Sequence, residues 1–195
     1  MSTSTNIDYI DTYFQIPVLT KIHGEPTYHT LKILKNELKA NASSVQSNLG
    51  GGSHGHLGLV LTRAEYALIA IAPYINPPHP GQLNIAPGTA NHEAERLTRE
   101  HRELVREWRE TVDIEKALIK QIVKAIEPNY LKALRNTTTN TITQSVNQIL
   151  TYLFDCYGLV EYDELMGSEA ATRLTVFDPS QPITILYDAI EDLRR

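Results

Sequence analysis

One cysteine, one tryptophan, three phenylalanines and no long apolar run mark this sequence by what it lacks. A lone Cys156 excludes an intrachain disulfide and a thiolate metal site. No stretch of ~18 consecutive apolar residues exists, so no membrane-spanning helix is expected. The start, Met1-Ser2-Thr3-Ser4-Thr5-Asn6, has neither a basic region nor an apolar core and does not read as a secretory signal. A soluble, cytoplasmic chain is the expectation. Also missing is a basic stripe. Residues 1–88 balance five basic against five acidic groups and residues 89–126 eight against eight, while residues 127–195 hold five against ten. The net charge of −5 therefore belongs to the C-terminal third. Nucleic-acid binding needs clustered cations to displace counterions, so no direct DNA or RNA contact is expected of this chain.

What is present suffices for a core: 42% of the 195 residues are apolar and 21% charged, which excludes a wholly disordered chain. Residues 1–26 read as an extended arm, with strand-like Thr12 to Leu19 interrupted by Pro17. From Tyr28, apolar residues at Leu31, Leu34, Leu38, Ala42, Val45 and Leu49 predict one helical stripe, closed by a left-handed Gly50. The glycine-rich run that follows predicts a loop, then a short strand at 57–61. Thr62 and Glu65 form a capping-box pattern opening a short helix through Ile71, and Pro73 closes it. Five prolines and two glycines in 73–88 exclude regular structure there.

The longest element follows. With Thr89 as cap, nothing breaks the pattern until Pro128, and Ala90, Ala94, Leu97, His101, Leu104 and Trp108 step by four and three into a heptad-like seam. A helix over 90–126 would run ~55 Å, so a bend near Thr111–Asp113 is expected. Glu95–Arg99, Arg96–Glu100 and Arg106–Glu110 have ion-pair spacing. A short turn of helix at Asn129–Arg135 and a polar loop at 136–141 come next, with a bend or sub-lobe boundary expected near 127–141. A helix from about Ile142 then buries Val146, Ile149, Leu150, Leu153, Phe154 and Tyr157 before Gly158. Helices at about Tyr162–Leu174 and Ile183–Leu193, joined by a turn at Asp178–Pro182, complete the reading. The expectation is an all-α bundle of five to seven helices with little strand, residues 27–195 forming one helical domain.

Catalytic and metal patterns fall short. His54 and His56, with His79, His92 and His101 elsewhere, are the nearest approach to a metal cluster, but zinc needs three or four rigidly held ligands, so no metal is expected. Gly50-Gly51-Gly52-Ser53 lacks the Lys-Ser/Thr of a phosphate loop and follows a helix rather than a strand. His92-Glu93-Ala94-Glu95-Arg96 has arginine where a zincin needs its second histidine. Glu100, Glu103, Glu110 and Asp113 lie on one helix, interleaved with arginines, which is the pattern of a solvated face. Cys156 has no neighbouring cation to activate it and reads as a core or boundary thiol. Trp108 reads as a core anchor. No cofactor and no enzymatic activity are expected. The interaction candidates are the seam residues Leu97, His101, Leu104 and Trp108.

Several stretches in order carry a resemblance. They are Ile22-His23-Gly24-Glu25-Pro26-Thr27-Tyr28 with Leu31, Leu34, Leu38 and Asn41-Ala42; Gly50 to Leu59; and His79-Pro80-Gly81 before the long helix. Leu118 to Ile122 with Ala125-Ile126 and Tyr130-Leu131, Ile149-Leu150 with Leu153 and Tyr157-Gly158, and Asp178-Pro179 with Gln181-Pro182-Ile183 continue it. Over residues 20–193 this order resembles Gag-like proteins of copia-type LTR retrotransposons, in the variant common in microalgae and other protists. The resemblance implies a capsid subunit, of an element or a domesticated copy, that tiles with copies of itself into a shell around RNA. The remainder of a capsid region and a Cys/His zinc knuckle are missing, so RNA packaging is not expected of this chain itself. A helical adaptor using the Leu97–Trp108 seam, and a metal-dependent helical enzyme using His54, His56 and the acidic helix, are the competing readings.

Overall fold

A computed structural model describes residues 14–159. The expected helices at 162–174 and 183–193, and the turn between them, lie outside the described residues. Within them the fold is all-α. Four helices, α1 (Tyr28–Ser44), α2 (Arg63–Ala67), α3 (Asn91–Ala125) and α4 (Val146–Tyr157), are joined by irregular segments with 3-10 turns at Leu49–Gly51, Leu57–Leu59 and Pro128–Leu134.

The core forms where three helices meet. Leu31, Leu34, Leu38 and Ala42 of α1 pack with Ile114, Ala117, Leu118 and Ile122 of α3 and with Val146, Ile149, Leu150 and Leu153 of α4. These are the positions that steps of three and four assign to one face of each helix. Leu131 and Leu134, from the connection at 127–141, enter the same core. The arm contributes Phe14, Leu19 and Ile22 to the core, and its described part bends over residues 14–18 rather than running extended throughout as expected.

A buried polar clasp fixes the arm, and the sequence pattern did not reveal it. Asn41 is fully buried, and its amide donates to the Ile16 carbonyl at 2.8 Å and to Gln121 Oε1 at 2.9 Å, while its Oδ1 accepts from the Ile16 N–H at 2.7 Å. The Gln121 amide donates to the carbonyls of Ile16 and Pro17. Ile22 N–H donates to the Ala125 carbonyl at 2.8 Å. Backbone that joins neither helix nor sheet finds its partners elsewhere, and these two amides provide them for Ile16 and Pro17.

Several boundaries differ from expectation, each for a local reason. α1 ends at Ser44, not Leu49, because Ser43 and Ser44 turn their hydroxyls back onto the carbonyls of Ala40 and Asn41. The 50–56 loop then passes beneath the helix end, where His56 N–H takes the Ala42 carbonyl. Gly55 sits against the carbonyls of Ala42, Ser43 and Val45, with no room for a side chain. Gly50 is left-handed as expected (φ +61°) but lies inside a 3-10 turn rather than capping α1. No strand forms at 57–61: the N–H groups of Leu59, Val60 and Leu61 bond locally to the carbonyls of His56 and Leu57, giving a 3-10 turn. The Thr62/Glu65 capping box is present, but α2 stops at Ala67. Another capping box, Ser145 with Gln148, starts α4 later than expected. Gly158 ends α4.

The long helix α3 runs as one element over 35 residues, Asn91–Ala125. Its cap is Ala90, without a side-chain bond, because the Thr89 hydroxyl donates to the Ala86 carbonyl. Among the described residues, no helix is long and apolar enough to cross a membrane.

Candidate functional site

The three candidate metal histidines each take a different hydrogen-bond partner. His54 Nε2 lies 2.9 Å from the Ile69 carbonyl. His56 Nδ1 lies 2.9 Å from the Tyr74 hydroxyl. His79 sets its ring edge-on to Trp108, centroids 4.3 Å apart, and its Nδ1 accepts from the Gly81 N–H. Among the described residues, no three His, Cys, Asp or Glu side chains gather as a metal-binding group.

Their positions have a structural cause. His54, Tyr66, Tyr74 and His56 form a chain of edge-to-face ring contacts, with Tyr66 and Tyr74 centroids 5.6 Å apart, that stitches the glycine-rich loop to the segment after α2. Gly58 leaves room for the Tyr74 ring. Burial pushes the His56 imidazole down to about 4, so it is neutral near pH 7. Burial and then the charge of Glu115 push the Tyr74 phenol up, so it keeps its proton. A neutral imidazole and a protonated phenol share this contact without burying a charge. At Glu65, burial works to raise the carboxyl, but Lys35 and the Thr62 cap outweigh it and hold the group at about 2. The 2.6 Å Lys35–Glu65 ion pair ties α1 to α2.

Cys156 is exposed, which corrects its expected core or boundary placement. The α4 face that reaches the core is Val146, Ile149, Leu150 and Leu153, and Cys156 lies off it. Phe154 and Tyr157 are only partly buried.

The seam residues define the site that remains. Every buried residue of α3 lies between Thr111 and Ala125, and none lies in 91–110. Leu97, His101 and Trp108 are half-buried, and Leu104 is 53% exposed. The proline-rich segment covers part of this half through the His79–Trp108 contact. On another side of the same half, a groove of about 860 Å³ separates α3 from residues 46–52, and Glu100, Glu103, Leu104, Glu107 and Glu110 line it. Arg96 bridges Glu93 at 2.6 Å and Glu100 at 2.5 Å along the helix surface. The other two expected pairs, Glu95–Arg99 and Arg106–Glu110, do not close among the described residues. Further apolar side chains stand in solvent after α2, with Leu68 86% and Ile75 62% exposed and Ile71 fully so.

A scan of protein-family models, a search of curated proteins and a search of solved structures each found no match to this chain. The reading of function therefore rests on the residues and their geometry.

Proposed function

We propose that this chain is a structural subunit that self-associates through the free half of α3, as a Gag-like capsid subunit of a retrotransposon or a domesticated derivative does. One observation carries the reading: twenty residues of a continuous amphipathic helix, 91–110, place no fully buried residue in the described fold, and Leu104 of their apolar seam is 53% exposed beside half-buried Leu97. A helix with an apolar stripe gains stability by covering it, and a half that the described residues leave open is covered when copies meet. The exposed Leu68, Ile71 and Ile75 enlarge the apolar surface available to such contacts. Repeated contacts need only modest pairwise affinity, because multivalency accumulates them.

An adaptor for a foreign partner would need Trp108 as a free anchor. The His79 ring packs against Trp108 and takes part of that surface, which favours association between copies along the Leu97–Leu104 side.

The test is sedimentation velocity from low to high micromolar protein, followed by electron microscopy of the concentrated sample. The expected outcome is mass that grows with concentration, and closed particles or rings in the images. A strict monomer across concentration, salt and pH overturns the reading.

A further inference from the structure

The groove beside α3 has a sign. Glu100, Glu103, Glu107 and Glu110 line it against one guanidinium, Arg106. Of these carboxylates only Glu100 is ion-paired among the described residues. His56 lines the groove as well. It is 2% exposed, and its Nε2 is the one buried side-chain polar atom among the described residues without a hydrogen-bond partner. A buried ring nitrogen left unpartnered costs free energy that a ligand from outside the fold can recover.

The opposite sign lies elsewhere on the same chain. Lys32, Lys35 and Lys39 follow one another on α1 by steps of three and four. Glu100, Glu103 and Glu107 follow one another on α3 by the same steps. Each row spans about 10 Å along its helix at the α-helical rise, so Lys32 and Lys39, the members not held by Glu65, match the seven-residue spacing of Glu103 and Glu110. Read backwards, Glu110, Glu107 and Glu103 give the same spacing, so either helix direction fits. Glu65 pairs with Lys35, whereas Lys32 and Lys39 close no ion pair among the described residues. Burial and then the neighbouring Lys35 push the Lys39 ammonium below its usual range, as expected where positive charges crowd.

We propose that the lysine row of α1 on one copy docks into the glutamate groove of α3 on the next copy, head to tail. This rests on the self-association reading above and specifies its interface. The two patches differ and sit on different helices, so the contact is heterologous. Docking leaves one free groove and one free row at the ends, and the assembly closes into a ring or extends as a filament rather than stopping at a pair. Exposed ion pairs are individually weak and screened by salt, so assembly through them is salt-sensitive.

A charge exchange on the full chain tests it. Glu103→Lys with Glu110→Lys makes the groove basic, and Lys32→Glu with Lys39→Glu makes the row acidic. Each double variant alone is expected to remain monomeric at concentrations where the wild type assembles. An equimolar mixture is expected to assemble again, because the basic groove of one variant meets the acidic row of the other, and the reverse contact forms too. Circular dichroism confirms that both keep the wild-type helix content. A second measurement needs no variant: wild-type association is expected to weaken at least about tenfold between low and half-molar salt. Variants that assemble alone, a mixture of folded variants that stays monomeric, or salt-independent assembly each overturn the interface. If the wild type assembles but the exchange has no effect, only this interface fails. If the wild type is monomeric everywhere, the self-association reading fails and takes the interface with it. A monomer that binds a polylysine peptide in the groove points instead to a basic segment of another protein, and also overturns the proposal.

Discussion

Residues 91–110 and 111–125 belong to one unbroken helix, yet they live in different surroundings. The second stretch places Thr111, Ile114, Ala117, Leu118, Gln121, Ile122 and Ala125 inside the fold, and the first places nothing there. Hydrogen bonding along the backbone is the same in both. The difference is what lies opposite: α1, α4 and the arm face the second stretch, while a proline-rich segment and an open acidic groove face the first. Continuity of a helix therefore says little about where its stability resides. The core half anchors the helix, and the free half holds its seam and charges at a fixed distance from that anchor.

The sharpest way to break this comparison is to cut one side chain from the core half. Ile122→Ala removes a fully buried side chain and is expected to cost about 3–4 kcal/mol in urea unfolding. A cost comparable to that of an exposed site would mean the core is not where the contacts place it. Next comes the clasp. Asn41→Ala leaves the Ile16 N–H and Gln121 Oε1 without partners and the Ile16 carbonyl with the Gln121 amide alone, with an expected loss of about 2–3 kcal/mol. Asn41→Asp, which keeps the acceptor for Ile16 N–H but not the donor, would show which half of the clasp matters.

The third effect concerns the border between the halves, at His56. Its imidazole sits near 4 in the fold against 6.5 when unfolded. Between those values the unfolded chain binds the extra proton, so stability rises with pH across the window and is lost as pH falls from about 6.5 to about 4. The expected change is about 1–2 kcal/mol, discounted for solvent reaching the site. Urea midpoints measured from pH 4 to 7 check it, and His56→Gln, which does not titrate, should flatten the slope. A wild-type profile as flat as the variant's would show that the ring is not held neutral by burial. Last and smallest is Leu104→Ala in the free half. It should change stability by less than ~0.5 kcal/mol while weakening self-association. A loss of stability near that of Ile122→Ala would erase the distinction between the two halves.

Much of the architecture was legible from the sequence. The stripes Leu31–Leu34–Leu38–Ala42 and Val146–Ile149–Leu150–Leu153 are in the core, because burying an apolar face is the strongest local signal a chain carries. The Thr62–Glu65 cap was legible for the same reason, since its partners lie within one turn. The partnership of Asn41 with Gln121 was not, because eighty residues separate them and neither has a distinctive neighbourhood. The early end of α1 was missed because Val45 and Leu49 continue the apolar period, while the Ser43 and Ser44 hydroxyls and the loop that takes the Ala42 carbonyl end the helix. Of the candidate histidines, the sequence showed correctly that His54 and His56 share a loop. It did not show that Tyr66 and Tyr74 would turn them to stacking and hydrogen bonding.

The sequence by itself determined the helical class, the faces that are buried and the absence of a glycine-rich phosphate fingerprint, since each depends on spacing within a few turns. Only the tertiary structure decided that the seam of α3 splits at Thr111 into a buried half and an open one, and that the glutamates of the open half border a groove floored by a buried histidine. Periodicity reports that a helix has an apolar side, whereas what covers that side depends on segments distant in sequence.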